Sequence, residues 1–231
     1  MCDDCNFNEK VNIRVEQEPY YSEPVEVEEE IIYKLPEKRA EMKKSGSRYE
    51  EIEREGDIWM ESACSIAVDS VRNSGGPFGA IILQIDKKTN RVIRYWKNHN
   101  QVTVTNDPTA HAEVMAIRSA CKSLGVFNIG LIKREESKLY QPDEESYCVI
   151  YSSTEPCPMC YSAICWAGIP VLLFGATRCD ASADGVGFSD EEIYKELEEP
   201  YSERKIKVYR CCGDNLLEPF EEWKKAEKIM Y

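Results

Sequence analysis

The sequence predicts an α/β fold, a three-layer α/β/α sandwich around a central mixed sheet of about five strands. Three observations predict it. Helical periodicity and short apolar runs alternate from Asp57 onward, two of the runs flank a turn as a hairpin does, and later runs are each reached through a helix as a βαβ unit requires.

The first helix follows Asp57, with Ile58, Ala63, Ile66, Ala67, Ser70 and Val71 on one side at spacings of three and four, and ends near Asn73. Gly75-Gly76-Pro77-Phe78-Gly79 then turns into the run Ala80–Leu83, and Asp86–Asn90 leads to Val92–Trp96, which together read as an antiparallel hairpin. A second helix is predicted over Thr109–Leu124. Residues 132–147 read as a polar surface insertion before a strand at Cys148–Tyr151. The third helix begins after Pro158 and runs to about Ala167, where Gly168 stops it and Pro170 opens the strand Val171–Phe174. Further elements are a helix over Ser189–Leu197, a short strand near Ile206–Tyr209 and an amphipathic helix over Pro219–Ile229.

Two parts are expected, an acidic N-terminal extension over residues 1–56 and a single domain over 57–231. Of the charges, 17 acidic and 9 basic side chains fall in residues 1–57, against 25 and 20 in the rest. The extension's acidic run Glu26–Glu30, its prolines and the Lys-Ser-Gly-Ser run ending at Ser47 suit a solvated, partly disordered tail. Its residues Ile31, Ile32, Tyr33 and Leu35 offer the alternative of docking on the core or on a partner.

A net charge of -13 opposes binding to a polyanion, and no apolar run has the length of a membrane span. The start lacks the basic and apolar stretches of a secretory signal, so the eleven cysteines are expected to be reduced, in the cytoplasm. Cys2-Asp3-Asp4-Cys5 has metal-like spacing with no partner pair nearby, and Cys211-Cys212 reads as a packing pair at a strand end.

The chemistry concentrates in His111-Ala112-Glu113 and Pro156-Cys157-Pro158-Met159-Cys160. One imidazole and two thiolates suit a single zinc ion, and cysteines three apart at a helix start can grip one ion from the same turn. Three ligands, His111, Cys157 and Cys160, leave a fourth position for water. Glu113, two residues past the histidine, is placed to reach that water rather than the metal and to carry protons. His99, the other histidine, reads as a surface or supporting residue.

These blocks resemble the zinc-dependent nucleobase and nucleoside deaminases of the cytidine deaminase superfamily. The stretches Gly75–Ala80, Asn106–Glu113 and Glu155–Cys160 are similar to guanine deaminases and tRNA adenosine deaminases alike. Asp184–Asp190, Ile193–Glu196 and an aromatic-bearing C-terminal helix ending in Tyr231 look like the bacterial-type guanine deaminases. The resemblance implies a cytidine deaminase-like fold and hydrolytic deamination of guanine to xanthine. It further implies a substrate site in which Asn100 hydrogen-bonds the purine, Phe78 packs on it, Trp166 and Ala112 line the pocket, and Asp190 recognises guanine and assists proton transfer. Tyr231 would then enter from the exchanged C-terminal segment of a partner subunit, making a homodimer. The alternatives are a tRNA-specific adenosine deaminase, a guanosine- or cytidine-type nucleoside deaminase, and a non-catalytic subunit that keeps zinc for structure.

Overall fold

Asp57 sets the start of the first helix by two means. Its Oδ1 accepts hydrogen bonds from the main-chain N–H groups of Trp59 and Met60 at 3.0 and 2.9 Å, and its Oδ2 accepts the Tyr151 hydroxyl at 2.7 Å. The cap and a tie to the middle of the sheet thus come from one carboxylate. The computed structural model describes residues 19–39 and 48–227.

Helix α1 (Ile58–Arg72) buries Trp59, Ala63, Ala67 and Ser70 against the sheet, and Gly79 is what lets the sheet approach: a Cβ there would lie 2.4 Å from the Ala63 carbonyl. The hairpin is formed by β2 (Gly79–Asp86) and β3 (Val92–His99), paired antiparallel, both longer than their apolar runs. A single turn, α2 (Val102–Thr105), precedes α3 (Ala112–Leu124). The latter starts three residues later than its periodicity suggests, because Asp107 Oδ1 accepts from Thr109 N and Oγ1 and holds the chain in a turn.

Strand β5 (Glu145–Thr154) is the hub of the sheet. It pairs antiparallel with β2 on one edge; on the other it pairs antiparallel with the short β4 (Ile132–Lys133) and parallel with β6 (Val171–Ala176), which is reached through α4 (Pro158–Trp166). Parallel and antiparallel pairings coexist, as the predicted mixed sheet requires. Two apolar clusters lie on its faces, one with Ile82, Trp96, Ala116 and Ile150 under α3 and α4, the other with Trp59, Leu83, Val149 and Tyr151 under α1.

The sheet also gains a strand from the extension. Strand β1 (Val25–Glu26) pairs antiparallel with β3, and Val27, Ile31 and Tyr33 pack against the α1-side cluster. Glu26 reaches Arg94 Nε at 2.6 Å, and that buried guanidinium also bonds Gln84 Oε1 at 2.8 Å and the Tyr140 carbonyl. Within the stretch 132–147, Ile132 and Gln141 are fully buried.

Past β6 the chain leaves the core through α5 (Arg178–Ala181), α6 (Glu191–Glu198) and α7 (Glu218–Lys225). The strand expected near Ile206–Tyr209 is absent: Ile206 is 73 % and Tyr209 85 % exposed, and β-forming side chains make no strand without an adjacent edge. Cys211 and Cys212 are exposed rather than packed. Cys2, Cys5, Ser47, Ile229 and Tyr231 lie outside the described residues. No helix among the described residues is long and apolar enough to cross a membrane.

Candidate active site

Two helix starts converge beneath the sheet's end. His111 is the residue before α3 and Cys157 the residue before α4, both in extended conformation, with Pro158 opening α4 and Cys160 in its first turn. The Cys157 and Cys160 sulfurs lie 3.6 and 3.4 Å from His111 Nδ1, and the three donor atoms all fall within 4.8 Å of one another.

Those separations fit one tetrahedral zinc. With Zn–S of about 2.3 Å and Zn–N of about 2.0 Å, tetrahedral angles put nitrogen and sulfur about 3.5 Å apart. The protonation pattern asks for the same ion. The Cys157 thiol is brought down to about 4, foremost by the hydrogen bond from Cys160, while Cys160 is raised by that neighbour and by burial. Two such thiols beside an imidazole are a donor set that zinc would ionise and hold. Among the described residues this is the one His/Cys/carboxylate cluster with metal-binding geometry.

Glu113 is 6 % exposed and accepts a hydrogen bond from Ser152 Oγ at 3.2 Å, which fixes the carboxylate beside the cluster without making it a ligand. Burial above all, with the charge at Cys157, raises its pKa. A buried carboxyl of raised pKa beside three such donors has the properties of a general acid or base.

Asn100 is buried; its N–H donates to the Phe78 carbonyl at 3.0 Å and its Oδ1 accepts from Val102 N at 3.2 Å. Gly76 leaves it room, since a Cβ there would stand 3.1 Å from the Asn100 side chain. Phe78 meets Phe188 edge to face with centroids 5.0 Å apart, so the segment carrying Phe188 and Asp190 folds back over the hairpin's start. Burial raises the Asp190 carboxyl pKa while Arg178 opposes it, and Cys157 is among the groups whose charge it feels. Asp190 occupies the position before α6, although its side chain makes no capping bond.

Ala112 has no exposed surface and packs in the cluster under α3. Trp166 lies elsewhere than expected: it is 72 % exposed in a groove of about 610 Å³ between α3 and α4, lined also by Val114, Ile117 and Phe127 and by none of the three ligands. The reason is helical phase, because α4 buries the face of Cys160 and Ile164 and Trp166 falls off it. His99 is half-buried, and burial lowers its pKa.

Sequence reasoning missed Ser152, Glu155 and Gln101. Glu155 Oε2 accepts both the Tyr49 hydroxyl at 2.7 Å and Arg178 N at 2.9 Å, and Arg178 in turn bonds Glu191 and sits over the Tyr194 ring. The link runs from the metal loop to α6. A signal was present in the polar run Ser152-Ser153-Thr154-Glu155, which interrupts an apolar strand just before the cysteines.

Comparison with known proteins agrees with this geometry. The family model for the cytidine and deoxycytidylate deaminase zinc-binding region matches residues 54–176. Guanine deaminase from Bacillus subtilis is 40 % identical over 177 residues, 76 % of this chain and 98 % of that protein. A tRNA-specific adenosine deaminase from Aquifex aeolicus is 33 % identical over 57 % of this chain and 68 % of its own length. Among solved structures, that of the Bacillus subtilis guanine deaminase superposes with a TM-score of 0.61 at 37 % identity, covering 77 % of this chain and 99 % of that one.

Proposed function

The chain belongs to the cytidine and deoxycytidylate deaminase zinc-binding family, and from that membership we propose that it is a zinc-dependent aminohydrolase converting guanine and water to xanthine and ammonia. The observation that carries the reaction class is a three-donor cluster with a buried, non-ligating carboxylate beside it. The substrate rests on the likeness to the Bacillus subtilis guanine deaminase, which runs nearly the full length of that protein.

His111, Cys157 and Cys160 would hold the zinc, which supplies the Lewis acidity that makes a water nucleophilic near neutral pH. Glu113 would take one proton from the water as its oxygen bonds to C2 of guanine and deliver it to a ring nitrogen. It would then take the remaining hydroxyl proton of the tetrahedral adduct and pass it to the C2 amino group, which leaves as ammonia while the C2 carbonyl of xanthine forms. Ser152 holds the carboxylate in register for both transfers. Asn100 hydrogen-bonds the purine, a task for which its Nδ2 is uncommitted among the described residues. Phe78 packs on the ring, and Asp190 recognises guanine and assists proton transfer from its place beside Arg178.

The working unit in this reading is a homodimer in the cytoplasm, where thiolate ligands stay reduced. Residues 199–227 contain no buried side chain and carry Ile206, Tyr209, Leu217, Phe220 and Trp223 to the outside. Such an arm finds its cover on a second copy, and exchange between subunits would bring Tyr231 over the partner's pocket.

Ultraviolet assay of the purified protein against guanine, guanosine, adenine and cytosine tests the reading, with conversion of guanine alone expected. Rapid turnover of cytosine or guanosine with silence on guanine overturns the substrate. In Glu113→Gln, zinc content stays at one per chain and kcat falls by roughly a thousandfold; undiminished activity there removes the proton carrier.

A further inference from the structure

We infer that Gln101 and the main chain of Tyr20 form a brace that positions the purine-binding loop, so that the N-terminal extension completes the substrate site, an inference that rests on the role proposed above for Asn100. Gln101 directly follows Asn100 and is 2 % exposed. Its amide oxygen accepts the Tyr20 N–H and its amide nitrogen donates to the Tyr20 carbonyl, each at 2.8 Å. One side chain thus takes both main-chain groups of a residue 81 positions away, as a neighbouring strand would.

On the other side of Asn100 the chain is tied in the same way. Asn98 Oδ1 accepts from Gln101 Nε2 at 3.1 Å, and Asn98 Nδ2 donates to Ser22 Oγ and Ser119 Oγ, each at 2.9 Å. Ser22 N donates to Ser119 Oγ at 3.1 Å. The extension, the end of β3 and helix α3 therefore meet in one buried polar network, and Asn100 stands between the two residues that carry it. The brace also touches the metal side, since Gln101 N donates at 2.8 Å to the carbonyl of Ala110, the residue before His111.

The physical consequence concerns orientation. Buried amides are costly to leave unpaired, so loss of the Tyr20 partner drives Gln101 to seek solvent and frees the loop that aims Asn100. Gln101 is a positioning residue: it acts through Asn100 and through the spacing between Asn100 and His111.

The decisive variant is Tyr20→Pro, which removes the N–H given to Gln101 at an exposed residue already preceded by Pro19, measured against Tyr20→Ala, which loses the same phenol ring but keeps the N–H. Gln101→Ala is the second. The full-length zinc-loaded enzyme is expected to show KM for guanine raised about tenfold in either variant, with kcat within about twofold and zinc still at one per chain. The double variant is expected to be no worse than Gln101→Ala alone. Hydrogen exchange of residues 98–106 rises in both, while that of β2 and β5 stays as in the parent. Unchanged KM with unchanged exchange overturns the brace, and so does a joint fall of kcat and zinc content, which marks a merely structural loss. If the parent enzyme is silent on guanine the substrate reading fails by itself, and the exchange comparison alone decides the brace.

Discussion

The segment before the deaminase core and the segment after it are alike in composition and opposite in fate. Both are charged and both carry scattered apolar residues. Residues 20–33 lie down along β3: Val27 N donates to Ile93 O, Val92 N to Ile31 O and Tyr33 N to Asn90 O, and Arg94 receives Glu26. Residues 199–227 bury nothing, despite Ile206, Val208, Tyr209 and Phe220. Apolar content therefore does not decide docking. What decides it is whether main-chain donors and acceptors find a sheet edge and whether a buried partner such as Arg94 or Gln101 waits for them.

Cutting the chain after Glu198 tests the sharper half of that contrast. The core is expected to keep its circular dichroism, the protein to sediment as a monomer, and kcat/KM on guanine to fall on the order of a thousandfold as the pocket loses its cover. Full activity in the shortened monomer would break the assignment of the arm to a partner copy.

Next in size is Arg94→Ala. The guanidinium is 3 % exposed and serves Glu26, Gln84 and Tyr140 together, so its removal leaves the fully buried Gln84 Oε1 without that donor and empties a buried site, at an expected cost of about 3 kcal/mol in a denaturant titration. Faster proteolysis at residues 20–33 accompanies it. A loss below about 1 kcal/mol would put the extension in the same class as the arm.

The smallest effect is alkaline. Burial pushes the Tyr33 phenol from 10 to about 12. A group whose pKa is raised in the folded chain contributes fully below the unfolded value and is lost as pH passes the folded one, so the window runs from pH 10 to 12. About 2 kcal/mol is expected to disappear across it, read from denaturation midpoints of the parent against Tyr33→Phe, whose midpoint moves less. Parallel pH profiles for the two proteins would show that Tyr33 is not held dry.

The two halves of the metal cluster were legible in the sequence because their chemistry demands fixed spacing: two thiols within one helical turn, and a carboxylate two residues past an imidazole. The α/β order was legible for a related reason, since an apolar run such as Ala80–Leu83 must be covered on both faces and a run such as Val171–Phe174 is reached through a helix. The docking of the extension was not. Gln101 recognises Tyr20 through main-chain atoms, which every residue owns, and no pattern of side chains announces it. The Ile206–Tyr209 strand failed from the opposite cause, as its side chains favour a pairing that no neighbouring edge supplies among the described residues. Trp166 shows how family likeness and helical phase can part: the residue type suits a pocket, yet α4 turns it away from the thiols.

Strand β5 is gripped along both edges, by β2 on one side and by β4 and β6 on the other, and Cys157 and Cys160 hang from its end. Their positions are thus tied to the strand that pairs on both edges of the sheet. A change that slides β5 against its neighbours would therefore carry both sulfurs with it and leave His111, at the start of α3, behind.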